Sequence, residues 1–245
     1  MKIIGVIPAR YGSTRFPGKP LASLHGKPVI QWVYEAATKS RYLERIIVAT
    51  EDVRIMRAVW NFGGEAMLTS KKLQSGTDRV AEVSKRMVAD IIVNIQGDEP
   101  LISPKTIDAV IHPLQRDKRL LMATAATPIK SGDNASPNIV KVVIDHFENA
   151  LYFSRSSIPY YRNGSGDGPL LQHCGLYAYR KDFLLKFTKW KQTVLEKTES
   201  LEQLRALEHG IRIRVVKVAQ KSIGVDTKED LERVKKLVRR RNLKN

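Results

Sequence analysis

Ile3-Ile4-Gly5-Val6-Ile7, running into Pro8-Ala9-Arg10-Tyr11-Gly12-Ser13-Thr14-Arg15-Phe16-Pro17-Gly18-Lys19-Pro20, is the stretch that decides the fold. The first five residues form an apolar run of strand length, read as a buried strand. The loop after it holds two glycines for close backbone approach, and Arg10, Arg15 and Lys19 put three cations within ten positions. In open α/β sheets, ligands bind at the carboxyl ends of the strands. A triphosphate needs this combination of backbone N–H donors and positive side chains. Neither the Rossmann glycine spacing nor the P-loop spacing is present, so the loop reads either as a phosphate site or as a solvated basic turn.

Outward from that loop, apolar strand-length runs alternate with segments of helical period. Arg45–Ala49, Glu65–Leu68 and Ile91–Ile95 are further strands. Val29–Thr38 and Asp78–Val88 are helices, the first with Pro28 at its first position and Val29, Trp32, Val33, Ala36 and Ala37 on one face; the second turns Val80, Val83 and Met87 inward. Ser103-Pro104 starts another helix. The alternation predicts an α/β fold with a mostly parallel sheet flanked by helices. Later, Leu121–Pro128, Lys141–Asp145, Ala150–Ser154 and Cys174–Tyr179 read as strands and Asn163–Gly168 as an exposed loop. Lys197–His209 and Lys228–Arg241 read as helices, with Thr227 and Asp230 spaced as a capping box. A single domain over 1–245, with a β-rich insertion at about 130–180, accounts for the pattern.

Three more segments carry candidate chemistry. Gln96-Gly97-Asp98-Glu99-Pro100 follows a buried strand, where an Asp beside a Gly can hold Mg²⁺ near a phosphate or simply build a turn. Asp226, before the last helix, is a second carboxylate that could share the metal or serve the helix dipole. Ser75-Gly76-Thr77 presents small polar groups to a base or ribose, or caps a helix at Thr77.

Composition limits the alternatives. The 245 residues are 42% hydrophobic and carry one cysteine, so the core forms without disulfides. The short apolar start is too brief for a signal peptide or a membrane span, and a cytoplasmic location is expected. The formal charge of +17 raises nucleic-acid binding as a competing reading. The cations are dispersed, however, except in Lys235-Lys236-Leu237-Val238-Arg239-Arg240-Arg241, and no aromatic-rich or Cys/His signature accompanies them. No nucleic-acid or membrane partner is expected.

Taken in order, these segments resemble the 3-deoxy-manno-octulosonate cytidylyltransferase (CMP-Kdo synthetase) family. The likeness continues through Pro137–Val143, Ala150–Arg155, His173–Arg180, Glu199–Arg205 and Gly224–Leu231, nearly the whole chain. Phe16, Ala178 and Lys228 depart from the family's usual Leu, Gly and Pro, and Gln220–Ile223 is shorter and more cationic. The resemblance implies a Rossmann-like nucleotidyltransferase fold with an inserted β-rich dimerisation and sugar-binding part. It implies transfer of CMP from CTP to the acidic sugar Kdo for lipopolysaccharide biosynthesis, with 8-amino-Kdo or another acidic sugar as the alternative substrate. Arg10, Ser13, Thr14, Arg15 and Lys19 would hold the CTP phosphates, and Ser75, Gly76 and Thr77 the cytosine and ribose. Gln96 would lie between nucleotide and sugar, and Asp98 and Asp226 would bind Mg²⁺. Arg155, His173, Tyr177, Glu202 and Gln203 would line the sugar pocket, in a homodimer.

Overall fold

A computed structural model describes residues 1–129, 135–162, 170–219 and 222–242, with only the backbone of 240–242. The expected Asn163–Gly168 loop lies outside these residues, as do Gln220 and Lys221. The chain divides into two compact units, Met1–Asp108 with Ser222–Asn245, and Ala109–Lys221. The second unit reaches beyond the 130–180 segment on both sides.

In the first unit β1 (Ile3–Ala9) leads through a one-turn 3₁₀ helix (Lys19–Leu21) to a small hairpin, β2 (Ser23–Leu24) and β3 (Lys27–Pro28). Then come α1 (Val29–Ala37), β4 (Arg45–Thr50), α2 (Val53–Asn61), β5 (Ala66–Leu68), α3 (Gly76–Lys85) and β6 (Ile91–Asn94), before α4 (Pro104–Arg116). The strands lie in the order β6-β1-β4-β5, all parallel, as the near-continuous apolar runs require. Pro28 is the N-cap of α1 rather than its first residue, because its ψ of 149° keeps it extended and paired with Ser23. Ile30, left out of the expected inward face, is fully buried, while Trp32 and Ala36 are half-buried. Helix α3 begins two residues earlier than expected. Its cap is Ser75 instead of Thr77: the Asp78 N–H donates to Ser75 Oγ at 3.0 Å and the Ser75 N–H to Asp78 Oδ2 at 3.1 Å.

The second unit holds β7 (Met122–Pro128), β8 (Lys141–Ile144), β9 (Ala150–Ser154), β10 (Leu171–Arg180), α5 (Lys181–Phe187), α6 (Val194–Glu199), α7 (Gln203–Glu208) and β11 (Ile213–Lys217). Here β11 runs parallel to β7, while β7–β10, β10–β8 and β8–β9 are antiparallel. The single helix expected over Lys197–His209 is two short ones. Thr193 and Glu196 form a capping box that starts α6 early, and Ser200 turns left-handed at φ 52° to end it. The pieces are tied by a buried ion pair, Arg205 Nε donating to Glu196 Oε2 at 2.7 Å.

The chain returns to the first unit for α8 (Lys228–Asn242). Its Leu231, Val234 and Val238 join Leu24, Val29 and Val225 in one cluster, with Phe16 from the first loop packed against it. This burial seats the start of α8, and with it Asp226, beside the glycine loop.

Candidate active site

The first loop closes around Tyr11. Its carbonyl accepts the N–H groups of Ser13 (3.0 Å) and Gly18 (2.9 Å), and Gly18 adopts φ 73° with the Tyr11 ring where a Cβ would point. The closure presents Lys19 to two carboxylates. Lys19 Nζ donates to Asp98 Oδ2 at 2.5 Å and to Asp226 Oδ1 at 2.9 Å, and Arg15 Nη2 sits 3.0 Å from Asp226 Oδ2. Asp98 arrives on the loop after β6, where Gly97 is obligatory: a Cβ there would stand 2.6 Å from the Pro8 carbonyl oxygen. The Val225 N–H donates to the Asp98 carbonyl at 2.8 Å and locks the two acidic segments together.

The Asp226 carboxylate does not cap α8. That task falls to the Thr227–Asp230 box, in which the Thr227 N–H donates to Asp230 Oδ2 at 3.0 Å and the Asp230 N–H to Thr227 Oγ1 at 3.2 Å. Burial opposes ionisation of Asp226, but Lys19 and Arg15 outweigh it and hold its carboxyl below the ordinary carboxylate range. For Lys19, burial is likewise outweighed by Asp98 and Asp226, and its ammonium is held above its usual value. Glu99 behaves differently: burial, then the charge of Asp98, pushes it up to about 7.

A cleft of about 330 Å³ opens here, and all its lining belongs to the first unit. Arg10, Ser13, Thr14, Arg15, Lys19, Ser75, Gly76, Gln96, Asp98 and Asp226 all line it. Thr77 does not: it is 5% exposed, and Asn94 Nδ2 donates to its hydroxyl at 3.4 Å. The cleft also exposes Arg79, which the sequence reading passed over.

The remaining expected residues belong to the second unit. Arg155 is anchored by its N–H to Glu199 Oε2, Nε to the Glu199 carbonyl and Nη1 to the Pro137 carbonyl, each at 2.9 Å. Beneath it, the fully buried Lys141 donates to the carbonyls of Ser136, Ile139 and Arg155. A lysine in a strand reads as a solvent-facing residue, so nothing in the residue pattern signals that role. His173 and Tyr177 bring their rings to 5.3 Å across an irregularity in β10, where Thr124 Oγ1 lies 2.8 Å from the Leu176 carbonyl and 2.9 Å from His173 Nε2. The single hydroxyl proton serves the carbonyl, which makes His173 the donor from Nε2. Burial pushes His173 down to about 3, and burial with the nearby Glu202 charge keeps Tyr177 protonated. Gln203 is 4% exposed, and its Nε2 is buried without a hydrogen-bond partner among the described residues.

A family profile described as cytidylyltransferase matches residues 4–213. The 3-deoxy-manno-octulosonate cytidylyltransferase of Geobacter sulfurreducens is 52% identical over 96% of this chain and 98% of its own. That of Solibacter usitatus is 52% identical over 96% and 94%. The chain belongs to the 3-deoxy-manno-octulosonate cytidylyltransferase family. Among solved structures, a CMP:2-keto-3-deoxy-manno-octonic acid synthetase complexed with CTP is similar at a TM-score of 0.95 and 45% identity, covering 98% of this chain and all of that one. A cytidylyltransferase from Leptospira borgpetersenii, 18% identical with a TM-score of 0.64 over 96% of this chain and 85% of its own, shares the fold.

Two carboxylate oxygens within 2.9 Å of one ammonium nitrogen converge on a single point, which a cation can occupy. Among the described residues no group of three or more His, Cys, Asp or Glu side chains could hold a metal. A pair of carboxylates suits Mg²⁺, which takes one or two from protein and completes its shell with water and substrate phosphate. No helix among the described residues is long and apolar enough to cross a membrane.

Proposed function

We propose that this chain transfers the cytidylyl group of CTP to the anomeric hydroxyl of 3-deoxy-manno-octulosonate and releases pyrophosphate. The C2 hydroxyl oxygen forms a bond to the α-phosphorus, the bond from that phosphorus to the bridging oxygen breaks to release pyrophosphate, and the hydroxyl proton passes to water. The carrying observation is the convergence of Arg15 and Lys19 on Asp98 and Asp226, with Arg10 lining the same cleft, in a fold that superimposes on a CTP-complexed relative. Arg10, Ser13, Thr14, Arg15 and Lys19 hold the phosphates and offset charge gathering on the leaving pyrophosphate. Ser75 and Gly76 bound the base and ribose side, and Gln96 lies toward the sugar.

Asp98 and Asp226 would hold Mg²⁺, which when bound neutralises phosphate charge and lowers the pKa of a nearby hydroxyl. Arg155 offers its guanidinium to the sugar carboxylate, while His173, Tyr177, Glu202 and Gln203 meet its hydroxyls. The product feeds lipopolysaccharide assembly, and the protein works in the cytoplasm as a homodimer. Phe147 and Leu151, 76% and 62% exposed around the β8–β9 turn, support a contact between copies through the β-rich part.

The test is pyrophosphate release from CTP and Mg²⁺ with a panel of Kdo, 8-amino-Kdo and neuraminate. Release with Kdo is expected. A strong preference for neuraminate overturns the substrate, and tight, salt-sensitive RNA binding without any release overturns the enzyme.

A further inference from the structure

One carboxylate ties together the two walls of the nucleotide cleft. Glu51 stands directly after β4, and its side chain is 16% exposed. Its Oε1 accepts the N–H of Tyr11 at 2.9 Å, between Arg10 and Gly12 of the phosphate loop. Its Oε2 lies 3.1 Å from Arg79 Nη2, on the first turns of α3 and beyond Ser75 and Gly76. Arg79 is 7% exposed at its side chain and is held from below by the Thr69 hydroxyl. Tyr11 is fixed twice more. The Arg54 guanidinium lies 3.4 Å from its ring centroid, and the Tyr11 carbonyl takes the N–H groups of Ser13 and Gly18. Arg54 in turn is forked onto Asp52, with Nη2 to Oδ2 at 2.6 Å.

We propose that Glu51 is a positioning residue that sets the spacing between the phosphate loop and the base-binding end of α3, and so the fit of the nucleoside triphosphate. The inference rests on the cytidylyltransferase reading and deepens it. One oxygen accepts a hydrogen bond from the loop, and the other, buried without a hydrogen bond among the described residues, faces the Arg79 guanidinium as an ion pair, so the carboxylate acts as a strut. A glutamine of the same shape keeps the Tyr11 contact by its amide oxygen but turns its NH2 donor toward the Arg79 guanidinium, so the ion pair on that side is lost. Misplacing phosphate and base contacts relative to each other weakens triphosphate binding and in-line approach, while the sugar contacts, borne by other elements, are spared.

The test compares Glu51→Gln and Glu51→Ala with the wild type in CTP calorimetry without sugar, and in steady-state kinetics with CTP and sugar varied separately. CTP affinity and the reciprocal of KM for CTP are expected to fall about tenfold in Glu51→Ala and by an intermediate factor in Glu51→Gln. KM for the sugar is expected to stay within about twofold. Should Glu51→Ala fail to fold, the isosteric Glu51→Gln carries the measurement. A folded variant with CTP affinity within about twofold of wild type overturns the proposal, as does a parallel rise in both KM values, which marks general damage. A wild type that binds CTP but releases no pyrophosphate with any sugar sinks the functional reading instead, and the calorimetry still judges Glu51.

Discussion

Replacing Lys19 by Met removes the cation between Asp98 and Asp226 while keeping most of the side chain's volume. The Lys19 side chain is 13% exposed and that of Asp98 29%, so their bond at 2.5 Å is a partly buried, charge-assisted contact. Such a bond contributes about 1.5–3 kcal/mol. The bond to Asp226 at 2.9 Å involves a side chain 45% exposed, and solvent screening reduces it to roughly 0.5 kcal/mol. Without divalent cations, Lys19→Met is therefore expected to lose about 2–3.5 kcal/mol of stability. Asp98 and Asp226 then converge with only Arg15 on the Asp226 side, and Mg²⁺ meets no competing ammonium. At a hundredfold excess over its dissociation constant a ligand adds about 2.7 kcal/mol, enough to restore most of the loss. Urea unfolding followed by tryptophan emission, with and without Mg²⁺, reads both quantities. The reasoning fails if the metal-free variant matches the wild type, or if Mg²⁺ stabilises both proteins equally.

Asp98→Asn is expected to lower kcat by at least about a hundredfold while leaving CTP affinity within about threefold, which calorimetry and pyrophosphate release separate. Gly97→Ala drives a Cβ to within 2.6 Å of the Pro8 carbonyl oxygen, so thermal unfolding should show a loss of about 2 kcal/mol or more; an unchanged Tm would contradict that close approach. Arg205→Met strands Glu196, whose side chain is 5% exposed, and should cost about 3–5 kcal/mol in urea unfolding; Arg205→Met with Glu196→Gln should recover much of it. His173 is held neutral with its value pushed down to about 3, so its contribution is complete above its unfolded value of about 6.5 and is lost as pH falls toward 3. Stability should then drop by up to about 1.4 kcal/mol per pH unit in that window, and His173→Gln should flatten the slope.

The parallel strands were legible because Ile3–Ala9, Arg45–Thr50 and Ile91–Asn94 are buried on both faces and so read as unbroken apolar runs. Their loops were legible for the same reason, since a glycine or a charge directly after such a run is a site at the carboxyl edge of the sheet. The Lys197–His209 reading missed the break because side-chain periodicity cannot report one residue, Ser200, turning left-handed. The shift of the α3 cap from Thr77 to Ser75 had a signal: Ser75 precedes Asp78 by the capping-box spacing, with Gly76 tolerated between. Glu51 had one too, as a carboxylate directly after β4, at the same edge of the sheet from which the loop after β6 carries Asp98. Lys141 had none, because only the folded chain shows three carbonyls gathered at its ammonium.

Charge balance explains why cations and carboxylates are mixed in one cleft. Arg15 and Lys19 face Asp98 and Asp226, Arg10 lines the same cleft, and Arg79 is matched by Glu51. The lining sets four cations against two carboxylates, and with Glu51 behind it the excess is one positive charge, which does not by itself balance a triphosphate of about four negative charges. A purely basic cleft would do so and would also hold pyrophosphate tightly after transfer. Lys19 set between two carboxylates avoids both problems: its ammonium is compensated while it waits, and Asp98 and Asp226 are aimed at one point. A divalent cation arriving with the triphosphate would find those carboxylates already placed. Held by Asp98 and Asp226, such a cation would supply positive charge beside the phosphates, and Lys19 would be left to face them. On that argument the large net charge of +17 is not what holds the nucleotide, and surface Lys and Arg outside the cleft can be neutralised with little effect on CTP affinity.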